Sequence, residues 1–316
     1  MRRRRTLLIG SAVVAATLAS TGVVLAETNT ASVPETLNVM SWNICGEAGG
    51  VRGQAGYCPH RNEPEVKVEQ IMNLVDEYDL DVLLLQEVCA ETADSHMGLL
   101  EVALGDEWTV GNARGARPDG RTDCRGDLNG ELGLGIAVKS TVDVEFEIEQ
   151  TLPIDPTGEN LATLPTLCAT TGEWPTRVCT THILAEPSDP RRADQVQNVH
   201  DYVWPYRDDL VLGGDFNLFP ESTELEPISD SFAECDAKAH GSGDEVDEFT
   251  HHAWNNGQHV YRKRDHIFAS GGDLETRFTA CDSLQELMDE TANEPESGPP
   301  SGYSDHAPVI GSVRVL

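Results

Sequence analysis

Along this chain, apolar runs repeatedly break off in polar residues. "TLNVMSWNI" (36–44) alternates as a half-buried strand does. "PEVKVEQIMNLVDEYD" (64–79) sets Ile71, Leu74, Val75 and Tyr78 at helical spacing, with Pro64 in the first turn. "DVLLLQE" (81–87) is continuously apolar up to its last two residues, as in a strand buried on both faces. A helix near 92–104 and a strand near 107–112 follow. Further strands are predicted at 132–140, 142–150, 176–183, 209–217, 249–254, 264–270 and 306–316, and a helix at about 190–203. Residues 113–131, "ARGARPDGRTDCRGDLNGE", read as a long loop, and the Pro/Gly/Ser/Glu-rich stretch 289–304 as a surface loop. No internal repeat is visible. Many strands with few helices predict an α/β fold of packed layers with largely buried sheets.

The polar residues collect at strand ends: Asn43, Glu87, His182, Asp215 with Asn217, Asp265, and Asp305 with His306. Strand-end loops are where a rigid scaffold commonly carries chemistry. Each signal alone has a local reading. Asn43 can form a turn, Glu87 can cap a helix, "GGDFN" can be a tight turn, and a single His182 can be a satisfied core histidine.

Composition adds a compartment and a charge. "MRRRR", an apolar stretch and "VLA" ending at Ala26 form a secretory signal peptide over residues 1–26, with either a Sec or a twin-arginine reading. Residues 27–35 then read as a flexible mature N-terminus and 36–316 as one domain, exported and extracellular. No later apolar run is long enough to span a membrane. All eight cysteines follow the leader, and an even count in an exported chain suggests disulfides. Short loops favour Cys45–Cys58 and Cys168–Cys179, leaving Cys89–Cys124 and Cys235–Cys281. No C-x-x-C occurs, which argues against structural zinc. The chain has 22 Lys and Arg against 54 Asp and Glu, a formal net charge of −32. The leader holds four of those arginines and no acid, so the remainder is more negative still. Such a surface repels nucleic acid at long range, so phosphate contact needs a local basic patch and a cation. Arg114, Arg117, Arg121 and Arg125 in the 113–131 loop, Arg191 with Arg192, and Arg262, Lys263 and Arg264 are the candidates. Pairing with nearby acids such as Asp119, Asp123 and Asp127 is the alternative for the loop.

Taken in order, "SWN", "LLQE", "TTH", "GGDFN", "RDHIF" and "SDHAPV" resemble the endonuclease/exonuclease/phosphatase superfamily, from about residue 36 to the C-terminus. The resemblance implies a four-layer α/β sandwich with two mixed β-sheets face to face, helices outside, and the active site at one edge. It also implies hydrolysis of a phosphate ester with a divalent cation, Mg2+ or alternatively Mn2+ or Ca2+. The chemistry suits the residue types, because a hard cation held by carboxylate and amide oxygens neutralises the anionic ester. Glu87, with Asn43 and Asp305, would hold that cation. His306 would accept the proton of the attacking water, oriented by Asp265. His182 would meet the phosphoryl oxygens or protonate the leaving group. Asp215 would help orient the water, and Asn217 would donate to the developing charge. "RKRDHIF" departs from the superfamily's common pattern, with His266 in place of an aromatic and Arg264 in place of a small apolar residue. Arg114, Arg117, Arg121 and Arg264 would bind substrate.

Export argues against inositol-phosphate signalling and leaves nucleic acid or a phospholipid headgroup. The five tryptophans are scattered and no two aromatics adjoin, while the Arg/Gly loop suits a nucleic-acid backbone. The expectation is a secreted nuclease, monomeric and without stable membrane insertion. The alternatives are a sphingomyelinase or phospholipase C activity, and a non-catalytic binding protein on the same fold.

Overall fold

A computed structural model describes residues 33–47, 57–235, 249–270, 277–291 and 299–315. The expected signal peptide lies outside the described residues.

Two six-stranded sheets make the body. The first runs β13 (Phe278–Ser283), β14 (Val309–Arg314), β1 (Thr36–Asn43), β2 (Val82–Ala90), β4 (Glu131–Lys139), β3 (Trp108–Arg114). The second runs β5 (Val144–Gln150), β6 (Pro165–Thr171), β7 (Arg177–His182), β8 (Leu210–Asp215), β12 (Asp265–Ala269), β9 (Ala233–Glu234). Both are mixed: β1–β2 and β7–β8 are parallel, the other pairs antiparallel. A separate hairpin joins β10 (His251–Asn255) to β11 (Gln258–Arg262).

Three apolar clusters explain the layering. Leu37, Val39, Val82 and Leu84 of the first sheet meet Leu167, Val178, Val211 and Ile267 of the second in the central core. Helices α1 (Pro64–Tyr78) and α2 (His96–Leu104) cover the outer face of the first sheet through Val68, Ile71, Leu74 and Leu100. Helix α3 (Arg191–Val203) and the short α4 (Glu226–Ser229) cover the second with Val196, Val199, Val203 and Ile228. The result is the expected four-layer α/β sandwich. The predicted helix near 92 begins at His96, because Ser95 caps it by accepting the Gly98 N–H at 3.2 Å. The cysteines pair as Cys45–Cys58, Cys89–Cys124, Cys168–Cys179 and Cys235–Cys281.

Side chains alternate across a strand, and this aims the polar tips. On β1, Leu37 and Val39 face the central core, so Ser41 and Asn43 continue that face to its edge. On β8, Val211, Gly213 and Asp215 share the inward face, and on β12 Ile267 and Asp265 do. "GGDFN" is therefore the end of a core strand rather than a tight turn. A Cβ on Gly213 would lie 2.7 Å from Leu84 Cδ1, so glycine lets the sheets close together there. Among the described residues no helix is long and apolar enough to cross a membrane.

Candidate active site

Strand register sets three side chains in a row. His182 and Asp265 are both Cα partners of Asp215, one on each neighbouring strand, so all three stand on one face at one sheet edge. Opposite them, the β2–β4 ladder slips between Leu85 and Val88. Glu87 sits in that irregularity with φ 53°, and the bulge re-aims its side chain into the cleft. Residues 304–308 precede β14 and bring in Asp305 and His306. Strict alternation does not apply there, so both line the cleft.

Asp215 is the centre of the hydrogen-bond network. Its Oδ2 accepts from Asn43 Nδ2 at 3.0 Å and lies 3.5 Å from His182 Nε2 and 3.7 Å from His306 Nε2. His306 Nδ1 is 2.8 Å from Asp265 Oδ2. Asn217, in the left-handed region at φ 52°, turns back toward the site. Its amide nitrogen lies 3.2 Å from His182 Nε2 and its oxygen accepts from Arg264 Nη1 at 3.0 Å. Asn43 also donates to Glu87 Oε1 at 3.1 Å, while its amide oxygen accepts the Cys45 N–H. In this arrangement Asn43 presents its NH2, not its oxygen, to the carboxylates.

Several contacts fix these groups in place. Trp42 Nε1 donates to the His306 carbonyl at 2.9 Å. Ser304 Oγ donates to the Asn43 carbonyl and accepts the His306 N–H. Thr250 Oγ1 accepts the Arg264 and Asp265 N–H groups. Lys67, fully buried in α1, donates to the carbonyls of Ile44, Cys45 and Tyr303. It thereby ties the chain after Asn43 to the chain before Asp305.

The buried charges perturb one another. Burial opposes charge on His306, but Asp265 and Asp215 outweigh it and raise the imidazole to about 10. Burial pushes Asp265 upward and the His306 ring opposes it; we place the shared proton on His306, which two carboxylates face. Burial likewise acts to raise Asp215, yet His306, His182, Arg264 and the Asn43 amide hold it below its ordinary range. Asp305 is raised to about 6 by burial, with Glu87 adding repulsion and His306 and Lys67 opposing. Burial lowers the Lys67 ammonium to about 7.

The cleft encloses about 320 Å³. One wall is apolar, from Leu132, Leu134, Ala162 and Leu164. Of the basic candidates, Arg117 and Arg264 line it. Arg114 and Arg121 do not: Arg114 reaches Glu131 and Arg121 makes a bidentate pair with Asp123, both exposed. The structure thus does not bring these two expected substrate-binding residues into the cleft, because local acids hold them on the surface. Arg117 is 8% exposed and also paired, with Glu47 and Asp123. His266 is buried beneath the site between Phe216 and Phe268, so it replaces an aromatic in packing.

Sequence reasoning misses three cleft-side groups. Glu47 lines the cleft and is raised to about 7 by burial and by Glu87. His251 packs edge-on against His306 with ring centroids 4.6 Å apart. Lys67 is the third. None stands at the end of an apolar run, which is the signal that finds the others.

The residues fit a divalent cation. Burial drives Asp305 up, and Glu87 adds repulsion to it across the cleft. Their carboxylate oxygens suit a hard ion. Cys45 and Cys58 near Asp305 are not ligands, since their sulfurs are bonded to each other. Because Asp305 must be ionised to bind a cation, affinity should weaken by up to about tenfold per pH unit below about pH 6. Calorimetric titration of Mg2+ or Mn2+ at pH 5, 6 and 7 checks this; a flat profile would remove Asp305 from the ligand set.

No curated protein matches the chain. Solved structures share its fold. An endonuclease/exonuclease/phosphatase family protein from Bacteroides thetaiotaomicron matches with a TM-score of 0.59 at 17% identity, over 90% of this chain and 99% of that one. TDP2 from D. rerio, complexed with single-strand DNA product, matches with a TM-score of 0.56 at 16% identity, over 88% and 99%. The 3′ phosphatase NExo from Neisseria, bound to product DNA hairpin, matches with a TM-score of 0.54 at 18% identity, over 88% and 99%. The model of the Endonuclease/Exonuclease/phosphatase family matches residues 40–306, which takes in every strand-end residue of the site. With that span and the sandwich beneath it, the chain belongs to the endonuclease/exonuclease/phosphatase family, whose members hydrolyse phosphoester bonds.

Proposed function

We propose that this protein is an exported, divalent-cation-dependent phosphodiesterase acting on nucleic acid. The observation that carries the reading is the row His182, Asp215 and Asp265 with His306, faced across one cleft by Glu87 and Asp305. Export rests on the N-terminal leader. Nucleic acid is supported by the DNA products bound to two proteins of the same fold, and by Arg117 and Arg264 lining the cleft of a strongly acidic chain.

Glu87 and Asp305 would hold the cation, with Asn43 tethering Glu87 or turning its amide oxygen inward. When bound, the cation supplies charge that neutralises the phosphate, polarises its P–O bond and works against the carboxylate field on the His306 proton. The remaining work falls to the chain. Asp215 stays ionised and aligns the attacking water beside His306 Nε2. His306 accepts the water's proton once its ring is neutral, and Asp265 stabilises the imidazolium that forms. The new P–O bond forms as the ester bond breaks opposite it, and His182 protonates the departing oxygen. Arg264 and Asn217 donate to the phosphoryl oxygens.

A substrate panel of DNA, RNA, sphingomyelin and phosphatidylcholine, with and without chelator, tests this. We expect cleavage of DNA or RNA, lost with chelator and restored by Mg2+, Mn2+ or Ca2+. Glu87→Gln should raise the Mg2+ concentration needed for half activity by about 10–100-fold, the scale seen even for groups that only support a ligand. An unchanged magnesium titration would exclude Glu87. Turnover of lipid alone would favour the second reading, a headgroup hydrolase, which the apolar cleft wall and the 55% exposed Leu161 support. Activity indifferent to chelator would overturn cation dependence.

A further inference from the structure

His251 is a buried imidazole that lines the cleft beside His306. Its backbone bridges antiparallel to His306, with His252 N–H donating to the Asp305 carbonyl and Ala307 N–H to the Thr250 carbonyl. The pairing puts the two rings side by side, 4.6 Å between centroids and 63° between planes. His251 is 7% exposed, and its Nδ1 is buried with no hydrogen-bond partner among the described residues. A buried polar atom left unpaired is destabilising, so such a position suits a ligand. One donor atom each from His251, Asp305 and His306 lies within 4.8 Å of the other two.

We propose that His251, Asp305 and His306 form an imidazole-rich cation site that takes a borderline transition ion such as Zn2+ or Co2+ in preference to Mg2+. The chemistry follows from the donors. Two imidazoles and one carboxylate suit zinc, cobalt or nickel, whereas magnesium prefers an all-oxygen shell with several waters. His306 offers Nε2, because its Nδ1 is committed to Asp265, and that carboxylate behind the ring is the usual support of a metal-binding histidine. Asp305 is common to this site and to the oxygen site with Glu87, so the two compete for it. Occupancy also takes the nitrogen that His306 needs for the water's proton. Zinc should therefore oppose magnesium-supported turnover rather than replace it. The ion-binding part stands whether or not the substrate is nucleic acid, and only the inhibition rests on the function proposed above.

The test is a Co2+ titration of chelator-treated protein, followed by visible absorption, with Zn2+ and Mg2+ as competitors. His251→Phe keeps a ring against His306 and removes both nitrogens; its Tm, measured alongside, reports folding. We expect a d–d band in the wild-type protein that equimolar Zn2+ abolishes and equimolar Mg2+ leaves. In folded His251→Phe the affinity behind that band should fall at least about tenfold. An unchanged band in His251→Phe, no band in the wild type, or its loss to equimolar Mg2+ would each overturn the site. A folding failure of the phenylalanine variant is met by His251→Gln, for which the same two results are read. Should the substrate panel show no turnover at all, the cobalt band still decides the inference.

Discussion

Replacing His306 with alanine should lower kcat by about 10²–10⁴-fold, the scale of a general base. The ring sits between Asp265 at 2.8 Å and Asp215 at 3.7 Å, and only its Nε2 faces the cleft carboxylate. Alanine removes the proposed proton acceptor and leaves two buried carboxylates without the cation between them. That second effect would confound a fall in rate, so stability must be read alongside. His306→Gln retains volume and polarity but cannot exchange a proton near neutral pH, and should lose turnover to a similar degree. The pH dependence of stability supplies the sign. The folded-state value of about 10 lies above the ordinary 6.5, so the imidazolium stabilises the fold fully below pH 6.5. That contribution declines as pH rises and is gone beyond about 10. Chelated wild-type protein should therefore lose Tm between pH 7 and 10 more steeply than His306→Gln does. Wild-type turnover in His306→Ala would remove the residue from the chemistry. Parallel Tm profiles would remove the ion pair.

How far the sequence discloses this molecule depends on what each element buries. Continuous or alternating apolar runs make β1, β2, β8 and β14 legible, because each packs one or both faces against another layer. β6 is a fully paired inner strand, yet "PTLCATT" has no apolar run; its threonines bond across the sheet, as Thr166 does to Thr181. β11, "QHVYR", pairs with β10 alone among the described strands and carries no strand period. The local signal there is Asn256–Gly257, both at positive φ, which is the sequence of a tight hairpin turn. β13, a partly exposed edge strand, is also silent in pattern.

The site divides in the same way. Asn43, Asp215, Asp265 and His182 are legible since they extend the inward face of core strands. Glu87 is legible by position, although its aim depends on a bulge that the pattern does not reveal. Lys67 looks like a solvated helix residue, but three carbonyls exposed by neighbouring loops call its side chain inward. Arg114 and Arg121 mislead for the opposite reason. Clustered arginines look like a phosphate surface or like partners of local acids, and the fold sets Glu131 against Arg114 and Asp123 against Arg121.

Asp215→Asn should be as damaging as loss of His306, with kcat lower by about 10²–10⁴-fold and a change that His306→Ala cannot mimic. Among the described residues Asp215 is the one carboxylate that lies within 4 Å of both imidazoles, and it stays ionised because cations and an amide surround it. Asparagine keeps the size and can still accept from Asn43, but it removes the charge. The attacking water would then lose the anionic anchor proposed for it. The His306 ring loses one of the two carboxylates that hold its proton, so its titration, followed by NMR of the ring C–H, should move below the wild-type value of about 10. The same loss removes a buried anion that the His306 imidazolium faces at 3.7 Å, which should lower stability, read as Tm. Three readouts thus separate the possible roles. A fall in kcat with an unmoved His306 titration would make Asp215 a water-positioning group that has no hold on the ring. A moved titration with wild-type kcat would make it a structural anion. The geometry calls for both changes together, because a single oxygen, Oδ2, lies within 4 Å of each ring and of the amide that tethers Glu87.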